Sequence, residues 1–328
     1  MTPRSIVIVL GLLAAAAIIA SCHSSSTPRS SSRADAAATL ALGPDDEALS
    51  LLGQPLKRSG VEPDKRIDLE KSLVEATKAH TAAPNDERAA IEHGRCLCAL
   101  GRYREAIGVY SVALESHPDS PWLLRYRGHR YITTRQLDLA ERDLRKAESL
   151  IKGQPDQIDP EDEPADGARS SLHTSVYYHL GIALYLRGKF DDAERAFDQR
   201  NRLKITNDDL RVATAYWRWL CLKRLARDAD AKHVIAPITP GLDVRENKTY
   251  YRLGLLINGY IPESDLVNEQ DTTTPLNQGA TYGVAMLRKF NGDDPGYHRL
   301  LLRIVEEPSW INFGRIAAEA EIAREEAP

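Results

Sequence analysis

Small and large apolar residues recur along this chain at a fixed interval of 34. Gly94 and Gly128 stand that far apart, as do Ala106 and Ala140, Ala113 and Ala147, Leu97 and Tyr131, and Pro84 and Pro118. Each interval reads as two antiparallel helices, A and B, joined by a tight turn. Gly94, Gly128 and Gly181 fall in helix A, and Ala106, Ala140, Ala193 and Ala231 in helix B. Small residues at these points let neighbouring helices approach closely. Tyr110, Leu144, Phe197 and Ile235 are the large residues that fill the space between them. Gly101 and Gly188 stand where helix A ends, a position that favours positive φ. Pro84 and Pro118 come just past helix B, where a missing N–H costs little.

Units run over 87–120, 121–154, 174–207 and, in weaker form, 212–241, where Trp219 replaces the Gly but Leu222 and Ala231 persist. A half unit, 68–82, precedes them as a lone helix B and caps the array, which spans 65–241. An insertion, 155–173, separates the second unit from the third. Residues 242–328 form a divergent helical module in which "TYYRLGLLINGY" has the Leu-Gly core of a helix A and "NGDD" turns between two further helices. The expected class is all-α.

A 34-residue period with these small and aromatic positions resembles the tetratricopeptide repeat (TPR) family. The resemblance implies a TPR-type α-solenoid of antiparallel helix pairs whose concave surface, lined by the A helices, holds an extended peptide or a partner helix. Carried over position by position, that groove comprises Arg88, Ile91, Glu92, Arg95 and Cys98 in the first unit. The second unit supplies Trp122, Arg125, Tyr126 and His129, and the third Tyr178, His179, Ile182 and Tyr185. Arg and aromatic side chains dominate binding hot spots because they bury area and still hydrogen-bond. The Lys and Asn pair with which chaperone-type members clamp a terminal carboxylate is missing from the corresponding places.

The first residues change the setting. "MTPRS", the 15-residue apolar run Ile6–Ala20 and "SC" follow the charged, apolar, small-residue order of an export signal over residues 1–21. Ile19-Ala20-Ser21-Cys22 resembles a bacterial lipobox, which implies cleavage before Cys22 and lipid attachment there. The Ser- and Ala-rich stretch 22–64 then reads as a disordered tether. The expectation is an exported protein, lipid-anchored in the bacterial cell envelope on its periplasmic or cell-surface side. Beyond Cys22 only Cys96, Cys98 and Cys221 remain, so a disulfide framework does not hold the fold.

Composition narrows the chemistry. The formal charge is −4, which argues against nucleic acid as a partner. Phosphate-loop, zinc-protease, nucleophile-elbow and dinucleotide motifs are absent, so no catalytic residue, cofactor or metal is assigned and the chain is read as a non-enzyme. His93 and Cys96 have metal-ligand spacing, but Cys96 and Cys221 occupy a slot that wants a small buried residue. The six carboxylates of "PDQIDPEDEPADG" lack the alternation of a calcium loop and read as a solvated acidic segment. Two functions follow. The first is an envelope scaffold binding a protein or peptide in the groove. The second is a substrate-binding lipoprotein that closes a pocket around a small ligand or glycan, lined by Trp310, Phe313 and Tyr282 of the C-terminal module.

Overall fold

The computed structural model describes residues 42–158, 170–204, 207–271 and 274–326. The export signal, Cys22 and most of the acidic insertion lie outside them. Among the described residues a short antiparallel hairpin, β1 (Asp46–Leu49) and β2 (Pro55–Lys57), precedes thirteen α-helices. Helix α1 (Pro63–Ala82) is the cap. Then come the A/B pairs α2 (Glu87–Ala99) with α3 (Tyr103–Ser116), α4 (Pro121–Thr133) with α5 (Leu137–Ile151), α6 (Leu172–Leu186) with α7 (Phe190–Asn201), and α8 (Asp208–Arg224) with α9 (Asp228–Ile235). The solenoid class is as expected. A helices α2, α4, α6 and α8 stand side by side, and the first three B helices each pack on both their own and the following A helix.

The small-to-large pairing is the geometric basis of each unit. A Cβ on Gly94 would lie 2.3 Å from the Tyr110 ring, on Gly128 2.7 Å from Leu144, and on Gly181 2.6 Å from Phe197. Any side chain at these glycines would force its helix pair apart. Helix starts carry their own caps: Asp86, Ser120, Ser171 and Asn207 each accept from backbone N–H groups of the helix that follows. Helix A ends in a left-handed residue in every unit, at Gly101 (φ 73°), Arg135 (φ 63°), Gly188 (φ 74°) and Ala226 (φ 54°). Two of these four lack the glycine that makes the conformation free of strain.

The C-terminal module first extends the array and then folds back over it. Helix α10 (Lys248–Ile257) stacks on α8 as a further A helix, with Gly254 against Ile238, but only a 3₁₀ turn (Glu263–Asp265) follows where a B helix would stand. Helices α11 (Gln278–Phe290) and α12 (Asp294–Glu306) form the next hairpin, turning at Gly292. Trp219, at the glycine position of the fourth unit, points edge-on at Phe290 and joins this module to the array. The last helix, α13 (Phe313–Glu325), crosses the A helices with Ile316, Ala317 and Ala320 buried in the core they share.

Two buried carboxylates fix α13. Arg135 donates to Glu319 through Nε (3.0 Å) and Nη2 (2.8 Å), with side chains 2% and 0% exposed. Arg315 Nε (2.9 Å) and the Leu51 N–H (3.1 Å) complete the shell of Glu319. Burial pushes this carboxyl up, but the guanidinium contacts outweigh it and hold the group below the usual carboxylate range. Glu321 likewise meets Arg224, Arg324 and the hydroxyls of Tyr282 and Tyr297.

The tether expectation over 22–64 needs correction within the described part. Residues 42–58 are built into the fold: Ala48 and Leu56 pack with Tyr103 and Trp310, Glu47 accepts from the Arg104 N–H (3.0 Å), and Trp310 Nε1 donates to the Lys57 carbonyl (2.7 Å). Strands of four and three residues are too short to show alternation, and their partners lie on α3 and beyond α12.

Glu319→Ala should cost about 3–5 kcal/mol in urea unfolding, because it leaves two buried guanidinium groups unpaired. Arg135→Gly relieves about 1–3 kcal/mol of backbone strain yet should still destabilise. Wild-type stability in either variant would show that the pair does not hold α13.

Candidate functional site

The A-helix face is covered by α13 over its later units and open at its N-terminal end. There a cleft of about 490 Å³ runs between α1, α2, α4 and α6. Leu69 and Ser72 form one wall, Glu92, Arg95 and Cys98 the next, and Arg125, Tyr126, His129 and Arg130 the floor, with His179 at the far end. Seven of the expected groove positions therefore converge on one cavity: Glu92, Arg95, Cys98, Arg125, Tyr126, His129 and His179.

The local geometry follows from helical spacing. Arg125 and His129 are one turn apart on α4, which brings both to the same edge. The Arg125 guanidinium lies 4.3 Å from the Tyr126 ring centroid, and its Nη2 donates to Ser175 Oγ (3.0 Å). The rings of His129 and His179 are 4.1 Å apart, with Phe313 5.7 Å from the first. His179 Nδ1 contacts the Ser175 carbonyl at 2.7 Å. Nδ1 must donate there, which leaves Nε2 as the variable position of the ring. Burial, with Arg130, His179 and Arg125 adding to it, holds His129 well below the usual imidazole range. His179 is lowered in the same way by burial, then Arg125, with Arg130 and Arg200 contributing. Arg95 is paired with Glu92 at 2.7 Å. Burial pushes the Cys98 thiol up, so it stays protonated at neutral pH.

Other expected positions fall elsewhere. Tyr185 is fully buried: its hydroxyl meets that of Tyr282 at 2.7 Å and its ring meets Trp217 edge-on, because α13 and α11 cover this stretch of α6. Ile182 is buried with it. Arg88 is exposed at the start of α2 and lies outside the cleft. Trp122 is half-buried, stacked on Tyr126 and donating to Gln157 (3.1 Å) at the base of the acidic insertion. Tyr178 is half-buried beneath Arg200 and shares a hydrogen bond with Tyr250 (3.1 Å). The pocket expected around Trp310, Phe313 and Tyr282 is not built. Trp310 is buried on the hairpin, Tyr282 sits in the core, and Phe313 lies against the two histidines.

Sequence reasoning passed over Arg130 and Arg200. Arg130 was legible, since it stands four residues after Tyr126 on an A helix and faces Tyr103 at 5.6 Å. Arg200 belongs to a B helix and reaches the inner face only through the gap beside Tyr178, so no groove pattern includes it.

Residues 89–120, α2 with α3, match the family model described as tetratricopeptide repeat. That one helix pair matches a tetratricopeptide repeat. Among solved structures, the chain is similar to YrrB, described as a TPR protein with an unusual peptide-binding site. The identity is 14%, the TM-score 0.42, and the match covers 76% of this chain and 97% of that one. No curated protein matches the chain.

The two depressed histidines set a pH dependence. The unfolded chain takes up protons at His129 and His179 near pH 6.5 while the folded chain does not, so their contribution is complete above that pH and lost below it. The loss should reach about 1.4 kcal/mol per pH unit for each group, with His93, also lowered by burial, adding to it. Glu319 and Glu321 act in a separate window, below about pH 4.5, where protonation removes the stability they provide. Thermal melts should therefore fall steadily from pH 6.5 to 5, and His129→Gln should flatten that slope. A flat profile in the parent chain would contradict the burial of these rings.

Proposed function

We propose that this chain is a non-enzymatic scaffold of the bacterial cell envelope, held to the membrane through lipid on Cys22, that binds a peptide or partner helix in the cleft between α1, α2, α4 and α6. One observation carries the reading: this segment of the A-helix face stays open and lined by Arg, His and Tyr side chains while α13 covers the rest. Side chains of these types bury area and retain directional hydrogen bonds, as hot-spot residues do. The protonated Cys98 thiol offers no ready nucleophile. Membrane attachment rests on the lipobox-like Ile19–Cys22 and the apolar run before it.

The cleft can be plugged without disturbing the core. Ser72 and Ala99 line it and are exposed, so Ser72→Trp with Ala99→Trp fills the cavity while the helices keep their packing. Capture from envelope extract with the full chain should retain a partner that the folded double variant loses by at least tenfold. Equal retention by both would place binding elsewhere. For the anchor, labelling with a radioactive fatty acid should depend on Cys22 and vanish in Cys22→Ser; label that persists would remove the lipoprotein reading.

A further inference from the structure

The arginines of this protein are mostly matched with carboxylates, and two at the inner face are not. Arg200, 7% exposed, gives Nη1 to the Leu210 carbonyl (3.1 Å) and the Thr214 hydroxyl, while its buried Nε has no hydrogen-bond partner. Its guanidinium lies 4.6 Å from the Tyr178 ring centroid, and no carboxylate among the described residues pairs with it. Arg130 rests against the Tyr103 ring, again without a carboxylate partner among the described residues. A buried cation without a counter-charge is costly unless an anion completes it. Burial accordingly lowers Arg200 to about 10, with the Tyr178 and Tyr250 hydroxyls as its only opposing influences.

These two arginines line neighbouring cavities that share His179. Arg200 lines a cavity of about 190 Å³ together with Ser175, Tyr178 and His179. His179 also lines the 490 Å³ cleft, and Ser175 is the residue that receives Arg125 from that side. The two cavities thus meet at His179, with Arg125 and Arg130 on one flank and Arg200 on the other. Acidic groups also line both cavities, and two of them are engaged: Glu92 pairs with Arg95, and Asp209 accepts the N–H groups of Glu246 (2.8 Å) and Asn247 (2.7 Å). Glu246 lines the smaller cavity beside Asp209.

We propose that the junction at His179 is an anion site, in which Arg125, Arg130 and Arg200 take the side-chain carboxylates of an acidic segment of the partner. This rests on the reading of the cleft as a binding site and names the chemistry of what enters it. The guanidinium forks supply paired donors suited to carboxylate or phosphate oxygens. The aromatic rings of Tyr126 and Tyr178 lie behind the cations and keep them partly desolvated, where an incoming anion gains most.

Calorimetric titration of the full chain with an aspartate/glutamate hexapeptide, succinate and inorganic phosphate tests this. The acidic peptide should bind, weaken about tenfold or more between 50 and 300 mM salt, and move the imidazole NMR signal of His179. Arg200→Met should reduce affinity at least tenfold and Arg200→Lys restore part of it. Arg125→Gln, on the opposite flank, provides the same reading should Arg200→Met fail to fold. Tight binding of succinate or phosphate with none of the peptide would overturn the acidic-segment assignment in favour of a free small anion. Absence of binding by all three, or binding indifferent to both arginines, would overturn the anion site. If the Ser72→Trp/Ala99→Trp plug still abolishes capture of the natural partner in that event, the cleft remains the binding site and only its ligand chemistry has been misassigned.

Discussion

Arg135 and Glu319 decide what kind of object this repeat array is. In a simple solenoid each unit touches only its neighbours, and stability is close to a sum of local terms. Here a guanidinium at the end of the second A helix meets a carboxylate from the last helix, 184 residues later, with both charges out of water. Such a pair gains from its own Coulomb energy only when every remaining donor and acceptor is satisfied. That condition is nearly met: with its two bonds to Glu319 and its donations to the Thr133 and Trp310 carbonyls, Arg135 uses four of its five N–H donors, and Glu319 accepts from Arg315 and the Leu51 N–H. One interaction thereby joins the N-terminal hairpin, the second repeat and the C-terminal helix. The backbone accommodates it too, since Arg135 holds a left-handed conformation that glycine adopts in the first and third units. Strain at that turn is the cost of placing a guanidinium where the repeat normally needs no side chain.

This closure determines which part of the concave face remains available. Helix α13 fills the inner surface beside α6 with small residues, Ala317, Ala318 and Ala320, that permit close approach. Phe313 at its start ends the covered zone against His129 and His179. Beyond that ring the face is open. The boundary between structural and accessible surface therefore falls within a single helix: Tyr185 of α6 is core, while His179, less than two turns earlier, lines the cleft.

The repeat was legible because its causes are local. Gly94 with Tyr110, Gly128 with Leu144 and Gly181 with Phe197 lie within one helix hairpin, so a period in the sequence reports a contact in space. The same holds for Gly101 and Gly188, whose positive φ follows from their place after helix A. What escaped is non-local. Nothing in residues 42–58 announces that Glu47 will meet Arg104 or that Lys57 will receive Trp310. The A-helix positions were correctly expected to face inward, but facing inward does not tell whether solvent or α13 lies opposite, and Tyr185 shows the difference. A signal for α13 was nonetheless present at Arg135, a non-glycine standing 34 residues after Gly101 at a turn that favours glycine.

Closure also bears on how the cleft would recognise anything. Open solenoids flex, and a ligand that must first fix the curvature of the array loses affinity to that ordering. Pinning α13 to both the second unit, through Arg135, and the fourth, through Arg224 and Glu321, restrains that curvature before a partner arrives. The charges at the cleft then work against a fixed background. The chain carries a formal charge of −4, yet the junction at His179 is ringed by arginines. A local positive field inside a concave, partly desolvated surface of a net-negative protein is focused rather than spread. The buried His179 and the half-buried His129 sharpen the point: burial is the main influence that keeps both imidazoles neutral, the arginines add to it, and an arriving anion would offset the part the arginines contribute.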